Sequence, residues 1–257
     1  MLDENDLERY ASQLIMPAIE EEVQSILLNS KVLIIGAGGL GNPTAIFCSA
    51  TGIGNIDICD HDTIELSNLN RQIAFSINDI GDSKSKVLKN YCLNLNPNLK
   101  INSIIKNFDD KFPVDNYDII LDCSDNIETK YNANISAHKY NKTLISASAT
   151  QFEGQLGVFK SGKFKNLPCY ECIFPKDQYE KTNLNCRETG IIGPVTNLIS
   201  SLQVTETIRE LFIGKSFKID QSFTKNSLAG SLLLYDCIQH EITKIKLKKN
   251  LNCKVCK

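Results

Sequence analysis

A glycine-rich run directly after a short apolar segment constrains the fold of this chain more than any other feature. The apolar segment occupies residues 31–35, and four glycines follow it in the spacing G-x-G-x-x-G: Gly36, Gly38, Gly39 and Gly41. Glycines let a backbone approach phosphate oxygens closely, and the N-terminus of the following helix offers free N–H groups and a positive dipole end. Asp60 ends the next predicted strand, where an acidic residue binds ribose hydroxyls. The pattern predicts a nucleotide-binding β-α-β unit without separating NAD from ATP.

Strand patterns alternate with helix patterns over the first 150 residues. Short apolar runs predict strands at 31–35, 55–60, 101–105, 118–122 and 143–147. Helices are expected between them, through 45–50 and at 84–95 and 131–140. This alternation predicts a Rossmann-like α/β fold, in which a mostly parallel sheet carries helices on both faces.

Different patterns flank this region. Before it, the spacing of Leu7, Tyr10, Leu14 and Ile15 predicts one apolar helix face that Pro17 ends, and a second helix is expected at 18–28. After Gly154 we expect a strand at 155–159, a polar irregular segment at 176–189, a long helix at 194–212 and a hairpin formed by 231–235 and 241–247. The 257 residues contain no evident linker, so a single domain is predicted.

Charge and hydropathy exclude several classes of function. Lys plus Arg number 28 and Asp plus Glu number 30, a formal net charge of −2 that offers no basic footprint for nucleic acid. No apolar run approaches the roughly 20 residues of a membrane span. The acidic first residues are unlike a signal peptide. A soluble, cytoplasmic protein is therefore expected.

A second set of polar residues favours a triphosphate over a dinucleotide. Its members are Asp62, Asn68, Arg71, Gln72, Lys84, Asp125 and Asn126. The spread negative charge of a triphosphate needs several cationic and amide donors, and a carboxylate at the carboxyl edge of the sheet can hold Mg²⁺. The alternative is that Arg71 and Lys84 are solvated surface charges and that Asp125 caps the next helix.

Ten cysteines without a secretory leader suggest metal binding or catalysis rather than disulfides. Four of them form two C-x-x-C pairs, Cys169 with Cys172 and Cys253 with Cys256, which suit a closed tetrahedral Zn²⁺ site that would hold the C-terminal segment to the sheet. A redox role and chance spacing are the alternatives. Cys186 differs, because it lies in a polar segment beside Arg187, which can lower the pKa of a thiol.

Taken together, the motifs resemble the HesA/MoeB/ThiF family, the bacterial relatives of ubiquitin-activating enzymes. The motifs follow in the order R-Y-x-x-Q, V-L-I-I-G-A-G-G-L-G, D-H-D, L-S-N-L-N-R-Q, G-D-S-K, L-D-C-S-D-N and two C-x-x-C pairs, from Arg9 to Cys256. Three further motifs, at 146–149, 169–175 and 185–190, are most similar to the thiamin branch of the family. The resemblance extends over almost the whole chain.

The resemblance implies adenylation of the C-terminal carboxylate of a ubiquitin-like sulfur carrier ending in Gly-Gly, with ATP and Mg²⁺. Gly39 and Asp60 would line the adenosine, with Asp60 on the ribose. Asn68, Arg71 and Lys84 would bind the phosphates, and Asp125 the Mg²⁺. The implied catalytic residues are Arg71, Lys84, Asp125 and Cys186, the last through a sulfur link to the carrier. A sulfur donor such as a cysteine desulfurase and a homodimer are implied as partners. Within the single predicted domain, the N-terminal helices would occupy residues 1–30, the nucleotide-binding half residues 31–150, and the carrier-binding, zinc-bearing half residues 151–257.

One position departs from the family pattern R-Y-x-R-Q, whose second arginine enters the partner subunit's site. Ser12 stands there, and Arg9 is a candidate substitute three residues earlier on the same predicted helix. The leading interpretation is a thiamin-pathway adenylyltransferase. The alternatives are the same chemistry on a molybdopterin carrier, a nicotinamide-dependent oxidoreductase that shares only the glycine run, and a non-catalytic scaffold that binds carriers.

Overall fold

A computed structural model of the chain describes residues 2–16, 19, 21–178, 190–213 and 227–257. Its centre is a sheet with the strand order β3-β2-β1-β4-β5-β6-β7-β8. The strands are β1 (Lys31–Ile35), β2 (Asn55–Cys59), β3 (Lys100–Ile104), β4 (Ile119–Asp122), β5 (Thr143–Thr150), β6 (Glu153–Phe159), β7 (Ser231–Asp236) and β8 (Glu241–Lys246). Neighbours from β3 to β5 pair in parallel, and neighbours from β5 to β8 pair antiparallel.

Helices cover both faces of the sheet, as the sequence predicts. The described helices are α1 (Glu4–Arg9), α2 (Ala11–Leu14), α3 (Glu21–Asn29), α4 (Gly41–Thr51), α5 (Lys84–Leu95), α6 (Ile127–Lys139), α7 (Tyr170–Ile173) and α8 (Gly193–Phe212). Apolar residues of α3, α4, α5 and α8 share one core cluster with the sheet. Residues of α6 and α7 share a second cluster with its opposite face.

The parallel strands are apolar on both faces because each face is covered. In β1, Val32 and Ile34 belong to the first core cluster, whereas Leu33 and Ile35 belong to the second. Such continuous apolar runs are typical of strands in a doubly covered parallel sheet. The first strand therefore runs through the middle of the core and ends at the glycine run.

The sequence predicts one apolar helix face over Leu7–Ile15, and this prediction is wrong because the apolar side chains are not buried together. The segment forms two short helices that meet at Tyr10. Tyr10 is 1% exposed, whereas Ile15 is 83% exposed and Leu7 is also exposed. The break at Tyr10 turns the second piece, so the two pieces do not share one face.

The long helix α8 fills the space between the glycine run and the antiparallel half of the sheet. Twelve of its residues are buried, including Gln203, Glu206 and Glu210. Arg209 forms an ion pair with Glu206, which in turn accepts a hydrogen bond from the backbone N–H of Leu228 at 2.7 Å. Arg209, for which the sequence offers no role, thus belongs to a polar network inside the fold. Among the described helices, none combines the length and apolar character that a membrane crossing requires.

Candidate functional site

The glycine run forms a tight turn between β1 and α4 at the carboxyl edge of the sheet. Gly36 has a φ of +94°, and a Cβ there would lie 3.0 Å from the carbonyl oxygen of Cys123 at the end of β4. A Cβ on Gly41 would lie 1.8 Å from the carbonyl oxygen of Gly36. Only glycine fits either position, because the first helical turn lies directly against the strand end. β1 and β4 are the strands between which the order reverses, which is where ligands bind in such sheets.

Asp60 connects the end of β2 to this turn. Its carboxylate accepts hydrogen bonds from the backbone N–H of Ala37 at 2.6 Å and of Asp62 at 2.7 Å. Burial raises the pKa of Asp60 above its ordinary value of 3.8, and the two N–H donors and nearby Lys84 oppose that rise. The carboxylate therefore lies beside the glycine run, within the same edge of the sheet.

Lys84, predicted to bind phosphate, lies at the start of α5 and is buried. Its ammonium lies 2.9 Å from the Asp62 carboxylate, which also lies 3.2 Å from a ring nitrogen of His61. The carboxylate is partly exposed, so this ion pair faces the solvent side of the edge. The Asp62 carboxylate thus orients the Lys84 ammonium next to Asp60.

A short 3-10 helix, Leu66–Asn68, precedes Arg71, whose side chain lies against the glycine run. The Asn68 side chain accepts a hydrogen bond from the backbone N–H of Glu65 at 3.1 Å and is buried. Arg71 donates to the carbonyl oxygen of Ser67 at 2.8 Å. Arg71 carbon atoms lie 3.4 Å and 3.5 Å from the position of a Cβ on Gly39. The structure therefore places Arg71 beside the glycine run, while the Asn68 side chain bonds within the short helix that precedes Arg71.

Gln72 carries a buried polar atom that the described fold leaves unbonded. The side chain is 2% exposed, and its Oε1 accepts no hydrogen bond from any described residue. Its Nε2 lies 3.8 Å from the position of a Cβ on Gly38. An unbonded buried acceptor beside the glycine run fits a site that receives a polar ligand or water.

The turn after β4 carries Asp125 and Asn126, both exposed. Asn126, not Asp125, caps α6, because its Oδ1 accepts a hydrogen bond from the backbone N–H of Thr129 at 2.8 Å. The capping alternative for Asp125 is therefore wrong. The exposed carboxylate of Asp125 stands at the carboxyl edge, and carboxylate oxygen is a ligand that Mg²⁺ prefers.

A buried polar cluster under this turn was not predicted. Asp122 is 0% exposed and accepts hydrogen bonds from Lys130 at 2.9 Å, from Ser146 at 2.5 Å and from the hydroxyl of Ser124 at 2.6 Å. The only available signal was a lysine eight residues after an aspartate at a strand end. That spacing is common on surfaces and does not reveal burial.

The four cysteines of the C-x-x-C pairs converge on one point. Their sulfur atoms all lie within 4.8 Å of one another, with 3.5 Å between Cys169 and Cys253 and 3.3 Å between Cys172 and Cys256. Four thiolates around Zn²⁺ lie about 3.8 Å apart, given a Zn–S bond of roughly 2.3 Å and tetrahedral angles. The cluster therefore fits zinc, and it joins residues separated by more than 80 positions, as predicted.

The remaining cysteines divide by burial. Cys48, Cys59, Cys92 and Cys123 are buried in the core, where burial raises the pKa of each thiol. Cys237 is half-buried in the hairpin turn. Cys186, the predicted participant in sulfur transfer, lies with Arg187 outside the described residues.

The N-terminal motif has an anchoring role in the structure. The Tyr10 hydroxyl accepts a hydrogen bond from Asn96 at 2.9 Å, and Arg9 donates to the carbonyl oxygen of Leu95 at 3.0 Å. Both contacts lie at the C-terminal end of α5. Ser12 is exposed on α2. Arg9 is thus bonded within its own chain.

Comparison with known proteins agrees with the motif order. Residues 10–255 match the ThiF family. The chain is 38% identical over 259 aligned residues to a Dictyostelium discoideum protein named adenylyltransferase and sulfurtransferase MOCS3, with 99% of this chain and 58% of that protein covered. It is 32% identical to a Thermus thermophilus protein named sulfur carrier protein adenylyltransferase, with 98% and 91% covered. The chain thus spans little more than half the length of its MOCS3 relatives.

The fold is shared with a solved structure. The crystal structure of E. coli MccB with AMPCPP and MccA aligns with a TM-score of 0.81 at 25% identity, covering 98% of this chain and 75% of that chain.

Proposed function

The chain belongs to the ThiF family, and we propose that it is an ATP-dependent adenylyltransferase. Its substrate is the C-terminal carboxylate of a ubiquitin-like sulfur carrier that ends in Gly-Gly. The names of the two relatives share the adenylyl-transfer step, and the Thermus name specifies a sulfur carrier. The relative that is matched over 91% of its length carries only that activity in its name.

The observation that carries the proposal is the junction of the glycine run with the acidic and cationic residues of the same edge. The Asp60 carboxylate accepts a hydrogen bond from the backbone of the glycine run. Asp62, two residues after Asp60, forms an ion pair with Lys84. We assign Gly36, Gly38 and Gly41 to the phosphate-proximal backbone. Gly39, Asp60 and Asp62 are assigned to the nucleoside side, and Asn68, Arg71, Gln72 and Lys84 to the phosphates. The amide, guanidinium and ammonium groups of this last set are the donors that a triphosphate needs.

In the proposed reaction a carboxylate oxygen of the carrier attacks the α-phosphorus of ATP. The bond between that phosphorus and the bridging oxygen breaks, so an acyl adenylate and pyrophosphate form. Negative charge moves onto the pyrophosphate, and Arg71 and Lys84 stabilise this charge more in the transition state than in the ground state. AMP is then the leaving group when a sulfur nucleophile attacks the acyl carbon of the adenylate.

Mg²⁺ bound to the phosphates would supply further charge neutralisation. The exposed carboxylate of Asp125 offers an oxygen ligand at the edge of the sheet. Asp125 is our proposed protein ligand, and Asn126 contributes by capping α6. The nicotinamide alternative has no use for this set of side chains.

The carrier defines the pathway. The thiamin carrier follows only from the three motifs that resemble that branch, whereas the relatives named MOCS3 favour the molybdopterin carrier. The molybdopterin carrier is therefore the first candidate and the thiamin carrier the second. A cysteine desulfurase is the proposed class of sulfur donor in either case.

Residues 31–150 form the proposed nucleotide-binding half, and residues 151–257 the carrier-binding, zinc-bearing half, preceded by helices within 1–30. The role proposed for Zn²⁺ is structural, because four cysteine ligands leave no open position. A homodimer is proposed from the resemblance.

Intact-mass analysis tests these assignments with each purified carrier. With ATP and Mg²⁺ we expect one of the carriers to become adenylated. If neither carrier is adenylated, the result would favour the scaffold alternative. Cys186→Ser should still form the adenylate but lose any covalent link between protein and carrier. Retention of that link in Cys186→Ser would exclude the role proposed for Cys186.

A further inference from the structure

A buried ion pair lies directly beneath the candidate site. The Lys130 ammonium of α6 lies 2.9 Å from Oδ2 of Asp122, the last residue of β4, and the two residues are 6% and 0% exposed. We propose that Lys130 is a positioning residue that, through Asp122, fixes the turn carrying Asp125 in the geometry that binds a metal–nucleotide complex. This inference rests on the proposed function, which assigns that ligand to Asp125.

The Asp122 carboxylate connects the ion pair to the turn. Its Oδ2 accepts from Lys130 and from the Ser146 hydroxyl, and its Oδ1 accepts from both the hydroxyl and the backbone N–H of Ser124, at 2.6 Å and 3.1 Å. Two bonds to one residue fix the direction of the backbone at Ser124. Asp125 follows immediately, so the orientation of Asp122 sets where Asp125 projects.

Lys130 also connects three elements of the fold. Besides Asp122 on β4, its ammonium donates to the carbonyl oxygen of Ala147 on β5 at 2.9 Å, while its backbone belongs to α6. A buried carboxylate that loses its cation is strongly disfavoured. Without Lys130, the Asp122 carboxylate would therefore reorient, and its bonds to Ser124 would change with it.

The same turn contacts the glycine run. The carbonyl oxygen of Cys123 lies 3.0 Å from the position of a Cβ on Gly36. A displaced turn would therefore move both Asp125 and the support of the phosphate-binding backbone. The effect should be specific to the metal–nucleotide complex and distinct from a general loss of stability.

A second buried ion pair provides a matched control. Lys160 lies 2.6 Å from Glu210, and both residues are buried. Glu210 lies about 25 Å along α8 from Gly193, given a rise of 1.5 Å per residue. A Cβ on Gly193 would lie 3.2 Å from Cα of Arg71, so this end of α8 adjoins the candidate site. Glu210 also lies about 10 Å along α8 from Gln203, which donates a hydrogen bond to the carbonyl oxygen of Asp122. Lys160→Met thus removes a buried cation whose ion pair is separate from the one that holds the turn.

The experiment measures Mn²⁺ binding by electron paramagnetic resonance in the presence of a non-hydrolysable ATP analogue, together with the melting temperature. For Lys130→Met we expect Mn²⁺ affinity to fall by roughly 10- to 100-fold, as for residues that orient metal ligands. Lys160→Met should lose similar thermal stability and keep the wild-type Mn²⁺ affinity. If Lys130→Met does not fold, the double variant Asp122→Asn, Lys130→Met removes both charges and should show the same loss of affinity.

Equal Mn²⁺ affinities in wild type and Lys130→Met, or equal losses in Lys130→Met and Lys160→Met, would overturn the positioning role. Wild-type protein that binds the metal–nucleotide complex but never adenylates a carrier would overturn the proposed function instead. The inference about Lys130 would then still be decided by the comparison of the variants.

Discussion

The Asp60 carboxylate accepts a 2.6 Å hydrogen bond from the backbone N–H of Ala37. This bond joins the end of β2 to the turn after β1, so an acidic side chain and the backbone proposed to bind phosphate are held together without a ligand. The arrangement pre-organises the site and reduces the ordering that ligand binding requires.

The first prediction concerns pH. Ribose hydroxyls would donate to the ionised Asp60 carboxylate, so ATP affinity should be full above the pKa of Asp60 and should decline as the pH falls through it. Because burial raises this pKa above 3.8, the decline should begin at a higher pH than for an ordinary aspartate. Calorimetric titration of ATP across acidic pH measures this. Asp60→Asn should bind weakly with a flatter profile, and an unchanged profile in that variant would assign the pH dependence to another group.

The second prediction separates two glycines of one motif. Gly41→Ala should cost about 3 kcal/mol or more of stability, because its Cβ would overlap the carbonyl oxygen of Gly36. At Gly38 the nearest atom lies 3.8 Å away, so Gly38→Ala should keep the melting temperature and weaken ATP binding. Chemical denaturation and ATP titration of both variants provide the test. Equal destabilisation would contradict the described turn.

The third prediction concerns the metal. Cys253→Ser should lose one equivalent of Zn²⁺ and much of the stability of the C-terminal segment, because the site supplies folding energy only when all ligands are present. Cys237→Ser is the matched control, since Cys237 lies outside the cluster. Metal analysis by mass spectrometry and thermal unfolding measure both effects. Wild-type protein purified without metal would refute the zinc assignment.

The fourth prediction concerns the N-terminal motif. Arg9→Ala should lower stability by about 1 kcal/mol through loss of its bond to Leu95, with little effect on catalysis. Ser12→Arg should raise the rate of pyrophosphate exchange, since it restores the family's second arginine. Thermal unfolding and exchange assays of both variants decide the matter. If Arg9→Ala abolishes exchange while Ser12→Arg leaves it unchanged, Arg9 has the catalytic role.

The sequence predicts the strand ends better than it predicts what lies beneath them. The positions of Asp60 and the glycine run follow from periodicity and the steric needs of a tight turn, and the structure places them together. The C-x-x-C pairs were likewise sufficient to predict convergence of the cysteines. The buried pair of Asp122 and Lys130 was not predictable, because it depends on how α6 packs against β4 and β5. The exposure of Ile15 was missed because helical spacing does not reveal a break at Tyr10.

The most direct test of the account is ATP–pyrophosphate exchange by wild-type protein and Lys84→Met, with each sulfur carrier ending in Gly-Gly. We expect exchange that requires a carrier and Mg²⁺, and a loss of roughly 30-fold in Lys84→Met if its charged bond to phosphate contributes about 2 kcal/mol. Exchange that is absent with every carrier, or equal in wild type and Lys84→Met, would contradict the proposed adenylation at this site.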